Sequence, residues 1–329
     1  MNIKFVARKI LASFLTLLAI TFVNFAIFRM VPGDPIRMMF KDPRVSIEDI
    51  EAMKVKYGLD KPMMGQYINY MKNLAKGELG ISFWQKKPVG KVIAERIPRT
   101  LGLIGLSLFL AVVIGTILGA VAGWKGGSKT DSAIMGISMT LYSVPSFAFG
   151  ILLMLAFAYH FAIFPLGGIE TPASGFTGIR KIFDIARHMV LPSFSIVLWY
   201  IGQYILITRS SMKDVLSQPY IVTARAKGVR ERRILTRHAL RNAFLPLITI
   251  TGVNIAFMTG GIIEAETVFS WPGLGRLFYD AVMKRDYPLL QGCFLVFAVA
   301  VVILNFAVDL LYTRIDPRVR INGEAVNEG

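Results

Sequence analysis

The 329-residue sequence has one cysteine, Cys293, and three histidines, His160, His188 and His238, none in an H-x-x-x-H spacing. A single thiol excludes an intrachain disulfide and a cysteine-built metal cluster. Histidines this scattered read as structural or interfacial residues rather than metal ligands. A phosphate-binding G-x-x-x-x-G-K-[ST] loop is also missing: Gly90-Lys91 is followed by Val92 and lacks the upstream glycine. The chain is therefore not expected to hydrolyse ATP itself. No paired carboxylates, nucleophile elbow or metal cluster offers a catalytic site, and there is neither an internal repeat nor a low-complexity tract. Acids are scarce, 21 Asp and Glu against 37 Lys and Arg, for a net charge of +16. In a soluble protein that excess would point to nucleic acid. In a membrane protein it reflects cytoplasmic loops facing anionic lipid, and no nucleic-acid partner is expected.

What the chain does have is apolar sequence: 54% of residues are hydrophobic and the mean hydropathy is +0.55. The apolar residues fall in six runs, 10–31, 100–123, 132–161, 189–208, 246–263 and 289–313. Each is near or above the roughly 20 residues needed to cross a hydrocarbon core. The first run is longer than a signal-peptide core and no small-x-small cleavage site follows it, so it reads as a retained span. The short connections sort by charge. Lys125 and Lys129, the segment 209–245, and Arg314, Arg318 and Arg320 mark the cytoplasmic side, whereas 162–188 and 264–288 are nearer neutral. Residues 32–98 are polar, with helical character at 46–57 and 66–74, and read as an insertion outside the membrane.

Within the spans, Gly102, Gly105, Gly115 and Gly119 recur, and Gly115-x-x-x-Gly119 permits close helix approach. Pro145 breaks the third run, with Ser143 and Ser146 available to satisfy freed backbone groups. Asn254 and Asn305 sit where a polar group either bonds across helices or lines a path. Arg276 and Arg285 stand close enough in sequence to Asp280 and Asp286 for surface ion pairs, which contribute little.

The most distinctive stretch is 220–246. It carries Arg225, Lys227, Arg230, Arg232, Arg233, Arg237 and Arg241 against one acid, Glu231. Pro219 suits the first turn of a helix over 220–227, and Gly228 can end it in the left-handed conformation. A second helix is expected over 229–244, with Pro246 marking a break before the fifth span. An amphipathic helix lying on lipid would explain the arginines, but not the small residues Thr223, Ala224 and Ala226 or the flanking prolines.

These residues carry a resemblance. Thr223-Ala224-Arg225-Ala226-Lys227-Gly228, followed by His238-Ala239-Leu240-Arg241-Asn242-Ala243 and Pro246, resembles the coupling loop of ATP-binding-cassette importer permeases of the dipeptide/oligopeptide family. The usual Glu-Ala-Ala becomes Val222-Thr223-Ala224, as in that family. Pro32-Gly33-Asp34-Pro35, Tyr57-Gly58-Leu59-Asp60-Lys61-Pro62, Gly77-Glu78-Leu79-Gly80, Arg96-Ile97-Pro98, Phe269-Ser270-Trp271-Pro272-Gly273-Leu274-Gly275-Arg276 and Arg285-Asp286-Tyr287-Pro288 follow in the family's order. Asp309 and Asp316-Pro317-Arg318 complete the series. The long insertion after the first span is similar to that of the B-type permease.

The resemblance implies an all-α polytopic membrane protein with six transmembrane helices. A small extracytoplasmic insertion follows the first helix, and a cytoplasmic coupling-helix loop joins helices four and five. The zones are then 1–31, 32–98, 99–313 with its coupling loop at 209–245, and 314–329. Both termini would be cytoplasmic, in the plasma (inner) membrane of a prokaryote. It implies a permease subunit that carries peptides delivered by an extracytoplasmic binding protein. Its partners would be a homologous second permease, two ATPase subunits that bind ATP and Mg, and the lipid bilayer. No cofactor is implied for this chain. Oligosaccharides, glutathione and metal chelates are alternative cargoes, and an ion-driven secondary transporter is the alternative class. It assigns ATPase coupling to Thr223, Ala224, Arg225, Ala226, Lys227, Gly228, His238, Arg241 and Asn242. Trp271, Pro272, Gly273, Leu274, Gly275 and Arg276 are assigned to an outer gate or binding-protein dock. Ser143, Pro145, Asn254 and Met258 are candidates for the translocation path.

Overall fold

The structure is a computed structural model that describes residues 3–30 and 60–315, without side chains at 3–5, 30, 245, 249, 256–261 and 311–315. The 32–35 motif, the helix expected at 46–57 and the 316–318 motif lie outside the described residues.

The described residues form helices, with one antiparallel bridge between Ile81 and Pro88. In chain order they are α1 (Ile3–Met30), α2 (Met63–Ala75), α3 (Val89–Trp124), α4 (Lys129–Ser143), α5 (Ser146–Leu153) with a π-helical continuation (Met154–His160), α6 (Gly178–Leu216) and α7 (Pro219–Ala226). A helical turn (Glu231–Arg233) and a π-helical segment (Ile234–Ala239) then lead into α8 (Leu240–Val268), followed by α9 (Leu274–Lys284) and α10 (Tyr287–Ile315). Among the described residues four helices, α1, α3, α6 and α10, are long and apolar enough to cross a membrane, and α4 with α5 and its continuation makes a fifth if the bent pair is one span. This is an all-α polytopic membrane architecture.

By their contacts the residues divide into two compact units, Met1–Arg99 with Gly273–Phe306, and Thr100–Pro272 with Ala307–Gly329. The first has a core of Val89, Val92 and Ile93 packed with Leu274, Leu277, Ala281, Leu289, Leu290 and Cys293. Its polar anchor is Asp286, 1% exposed. One carboxylate oxygen accepts the Ser82 hydroxyl at 2.5 Å and the Trp84 amide at 3.0 Å, and the other accepts the amides of Phe83 at 3.1 Å and Leu289 at 3.3 Å. Asp286 thus caps α10 and pins the 82–84 turn at once. The expected surface pair with Arg285 does not form; Arg285 instead ends α9 in the left-handed region, φ 53°. Arg276 and Asp280 do approach, at 3.9 Å.

The second unit is built on close backbone approach. A Cβ on Gly115 would lie 2.5 Å from the Tyr204 Cβ, one on Gly119 2.6 Å from the Ile205 carbonyl oxygen, and one on Gly123 2.6 Å from the Met212 Cβ. The seam between α3 and α6 therefore runs one turn beyond the Gly115/Gly119 pair read from sequence. Gly105 is different: nothing lies within 4 Å of its would-be Cβ. On α6's other side, a Cβ on Gly202 would sit 2.7 Å from the Ser138 carbonyl oxygen of α4.

One expectation holds and one changes. Pro145 does break the third apolar run: α4 and α5 meet at 99° across Val144 and Pro145. Pro246 does not break the chain but lies inside α8. Membrane helices tolerate such prolines because neighbours and local adjustments satisfy the freed carbonyl. The helix expected over 229–244 is accordingly a turn, a π segment and the start of α8.

Gly119→Leu forces a side chain into the Ile205 backbone and should cost roughly 1–3 kcal/mol as overpacking. Gly105→Ala, with open space around it, should leave thermal stability in detergent unchanged or slightly raised. Equal melting temperatures for Gly119→Leu and wild type would refute the seam.

Candidate functional site

The basic segment begins where α6 ends. Pro219 occupies the first turn of α7, as its missing amide and fixed φ favour. Two turns later Gly228 adopts φ +73°. Its amide donates to the Arg225 carbonyl at 2.9 Å and the Val229 amide to the Ala224 carbonyl at 3.2 Å. Those two bonds make a Schellman ending, which satisfies the carbonyls that α7 leaves orphaned. Ile221 is buried and anchors the helix, while Thr223, Arg225, Ala226 and Lys227 are exposed and Ala224 is partly so. Asn242 Nδ2 donates to the Tyr220 hydroxyl at 2.9 Å, tying α7 to the foot of α8. Arg225 pairs with Glu231 at 2.9 Å, on the surface. His238 lies in the π segment and Arg241 is exposed at the start of α8. Beside them, Lys227, Gly228, Val229, Arg230, Arg232, Arg233 and Thr236 line an open cavity of about 630 Å³. Arginine and lysine are its only charged lining, so its chemistry suits acidic groups.

A second feature fixes the root of this segment. Ser128 caps α4, accepting the Asp131 amide at 3.2 Å, and the Asp131 carboxylate accepts the Gly127 amide at 2.9 Å. The same carboxylate takes two bonds from Arg209, at 2.5 Å from Nε and 2.8 Å from Nη2, with Lys213 Nζ at 3.7 Å. Asp131 is 2% exposed. A planar guanidinium on a carboxylate is a directional joint, and this one locks the start of α4 to the end of α6 just before α7. Sequence reasoning did not single out either residue. A lone acid in an otherwise basic short connection was the available signal.

The candidate path residues separate. Asn254, 5% exposed, donates to Gln203 Oε1 at 2.9 Å and to the Tyr204 hydroxyl at 3.2 Å, and Tyr204 donates to Thr251 at 3.2 Å. This is a bond across α6 and α8. Ser143 is exposed and donates to the Met139 carbonyl at 2.8 Å, and Pro145 forms the corner. The side chain of Met258 is among those not described. Two acids went unnoticed because α8 extends past the expected end of the span at residue 263. Glu264 is exposed and accepts the Ser146 hydroxyl, and Glu266 is fully buried and accepts the Thr100 hydroxyl at 2.6 Å.

Trp271 is 2% exposed in the core of the second unit, and Leu274 and Gly275 are buried in the first. Pro272 and Arg276 are partly buried. The left-handed residue of this connection is Ser270, φ 54°, while Gly273 sits at φ −97° as the cap of α9. The turn therefore does not rest on glycine at a left-handed position.

The family model for the binding-protein-dependent transport system inner membrane component matches residues 115–321, and the model for the N-terminal part of such membrane components matches 2–104. The chain belongs to this family. Among its relatives, the oligopeptide transport system permease protein AppB of Bacillus subtilis is 40% identical over 316 residues, covering 96% of this chain and 98% of the relative. The dipeptide transport system permease protein DppB of Escherichia coli (strain K12) is 36% identical over 335 residues, covering 97% and 99%. The glutathione transport system permease protein GsiC of Escherichia coli O6:H1 is 36% identical over 318 residues, covering 97% and 99%. Within such a permease the Arg209–Asp131 joint stands at the base of the basic segment.

Asp131→Asn and Arg209→Gln should each lower the melting temperature of the purified permease, and the double variant should lose less than the sum of the two, because each single change strands one partner. Strict additivity would mean that the pair is not coupled.

Proposed function

We propose that this chain is a transmembrane permease subunit of an ATP-driven importer, carrying peptides that an extracytoplasmic binding protein delivers. The observation that carries the reading is full-length similarity to oligopeptide and dipeptide permeases, and α7 with its Gly228 ending lies in the Thr223–Gly228 stretch that resembles the family's coupling loop. Glutathione is itself a small peptide, so the similarity to its permease widens the cargo class without changing it.

In this reading α8 is the fifth span in chain order and brings the total to six, both termini are cytoplasmic and 32–98 lie outside. A homologous second permease completes the path, and two ATPase subunits hold ATP and Mg²⁺ on the cytoplasmic face. Closure of the ATPases moves α7, and the spans alternate between inward- and outward-open states. A switch of this kind needs differential contacts in its two states. Exposed Thr223, Ala226 and Lys227, half-buried Ala224, and nearby His238, Arg241 and Asn242 supply them. Trp271, Pro272, Gly273, Leu274, Gly275 and Arg276 shape the outer gate or the binding-protein dock through packing, given their burial.

Two measurements test this. Cysteines replacing Lys76 and Arg230 should react with impermeant reagents only from outside and only from the cytoplasmic side, respectively. Same-side labelling ends the topology. Ala224→Trp and Gly228→Glu, the latter straining a left-handed position, should abolish ATP-driven peptide uptake in vesicles while membrane levels stay normal. Normal uptake together with normal ATPase pull-down would make the basic segment a lipid anchor.

A further inference from the structure

The break between α4 and α5 carries a carboxylate that the transport reading leaves without a role. Depth comes first. Asp131 and Arg209 join the first turn of α4 to the point where α6 leaves its apolar run, which in the proposed topology is the cytoplasmic edge of the membrane. From Asp131 to Ser143 α4 climbs about 18 Å at 1.5 Å per residue. The corner at Pro145 therefore lies inside a hydrocarbon layer of about 30 Å, and any tilt of α4 keeps it there.

At that corner Ser146, the first residue of α5, donates its hydroxyl to Glu264 of α8. Glu264 is nevertheless exposed. Its neighbour Glu266 is fully buried and bound to Thr100, so the two acids of this turn face different surroundings. α5 brings no charge of its own. A carboxylate open at this depth is disfavoured against lipid, so its open side calls for water or a polar partner. The face of α4 below it agrees. Gly136, Thr140 and Ser143 form an exposed strip, and an open cavity of about 430 Å³ is lined by Ala133, Gly136, Ile137, Thr140 and Leu141. Thr140 and Ser143 bond back to the carbonyls of Gly136 and Met139, and Ile137, Met139 and Tyr142 are exposed beside them, so this face brings no charge that competes with Glu264. The other face of α4, with Asp131, Met135 and Ser138, is the buried one. In secondary transporters broken spans are where cargo sites are built.

We propose that Glu264, oriented by Ser146, is a cation-recognising station in the translocation path and favours peptides bearing a lysine or arginine side chain. This rests on the permease reading for its cargo, but the local negative potential is independent of cargo.

Two readouts separate them, both on the assembled complex with its ATPase and binding protein. In the first, uptake of Ala-Lys-Ala and Ala-Glu-Ala into proteoliposomes is compared at saturating binding protein, so that delivery is held constant. Glu264→Gln should lower the Lys-to-Glu uptake ratio about fivefold, the worth of one unit charge at about 4 Å in a wet path, and Glu264→Asp should restore it. Equal slowing of both peptides would make Glu264 structural and overturn the proposal. In the second, Phe147→Cys, at an exposed position beside Ser146, is titrated with cationic and anionic methanethiosulfonates; native Cys293 is 0% exposed and silent. The cationic reagent should be preferred, and Glu264→Gln should cut that preference about fivefold. Ser146→Ala, which leaves the charge but frees its orientation, should weaken the preference less and covers the case in which Glu264→Gln does not assemble. An unreactive thiol, or a preference that ignores Glu264, overturns the proposal. A retained thiol preference with no uptake of either peptide would instead sink the peptide reading and leave the cation station standing.

Discussion

Between helices in a bilayer there is little hydrophobic drive, because lipid tails are as apolar as leucine; association comes from close packing and polar bonds. In the second unit that packing is concentrated on the absence of side chains at Gly115, Gly119 and Gly123, where α3 meets the backbone of α6, and at Gly202, where α6 meets α4. α6 is gripped from two sides by contacts that no larger residue allows. Everything downstream inherits its position. α6 carries Arg209 to Asp131, and α7 begins three residues after α6 stops. The placement of the basic segment is thus decided some 100 residues earlier in the chain, by glycines.

Polar anchors do the complementary work at helix ends, where backbone amides lack partners. Asp286 caps α10 and gathers the 82–84 turn, and Asp131 follows the α4 cap and gathers Gly127 and Arg209. On the neutral side, Thr171 bonds Asp184 through both its amide at 2.6 Å and its hydroxyl at 2.7 Å, which holds the connection ahead of α6 against that helix. Each acid binds several donors at one locus, so a loop is fixed without a core of its own.

Local chemistry was legible in the sequence. Pro219 and Gly228 delimit α7 because one lacks an amide and the other tolerates positive φ, and both effects act within a few residues. The Gly115/Gly119 approach was readable from spacing alone. Long-range pairing was not. Nothing in the string marks Asp286 as buried rather than paired with the adjacent Arg285, since its partners at 82–84 lie some 200 residues away. Pro246 misled for a similar reason: a rule drawn from water, where a freed carbonyl has no neighbour to adjust, placed a break where α8 continues. The bend at Pro145 was signalled, but the role of Glu264 beside it depended on where α8 ends.

The length of α6 has a mechanical meaning. Its 39 residues run without interruption from Gly178 to Leu216, about 58 Å at 1.5 Å per residue, roughly twice the hydrocarbon thickness. It is a lever held in its C-terminal half, over residues 201–212, by the glycine seams, with Asp184 and its loop at the free end and α7 at the other. A rigid rod of that length turned by about 5° moves one end relative to the other by about 5 Å, close to the pitch of one helical turn. A small tilt imposed at the foot would arrive at the far side as a displacement as large as a side chain, without a relay of separate contacts in between.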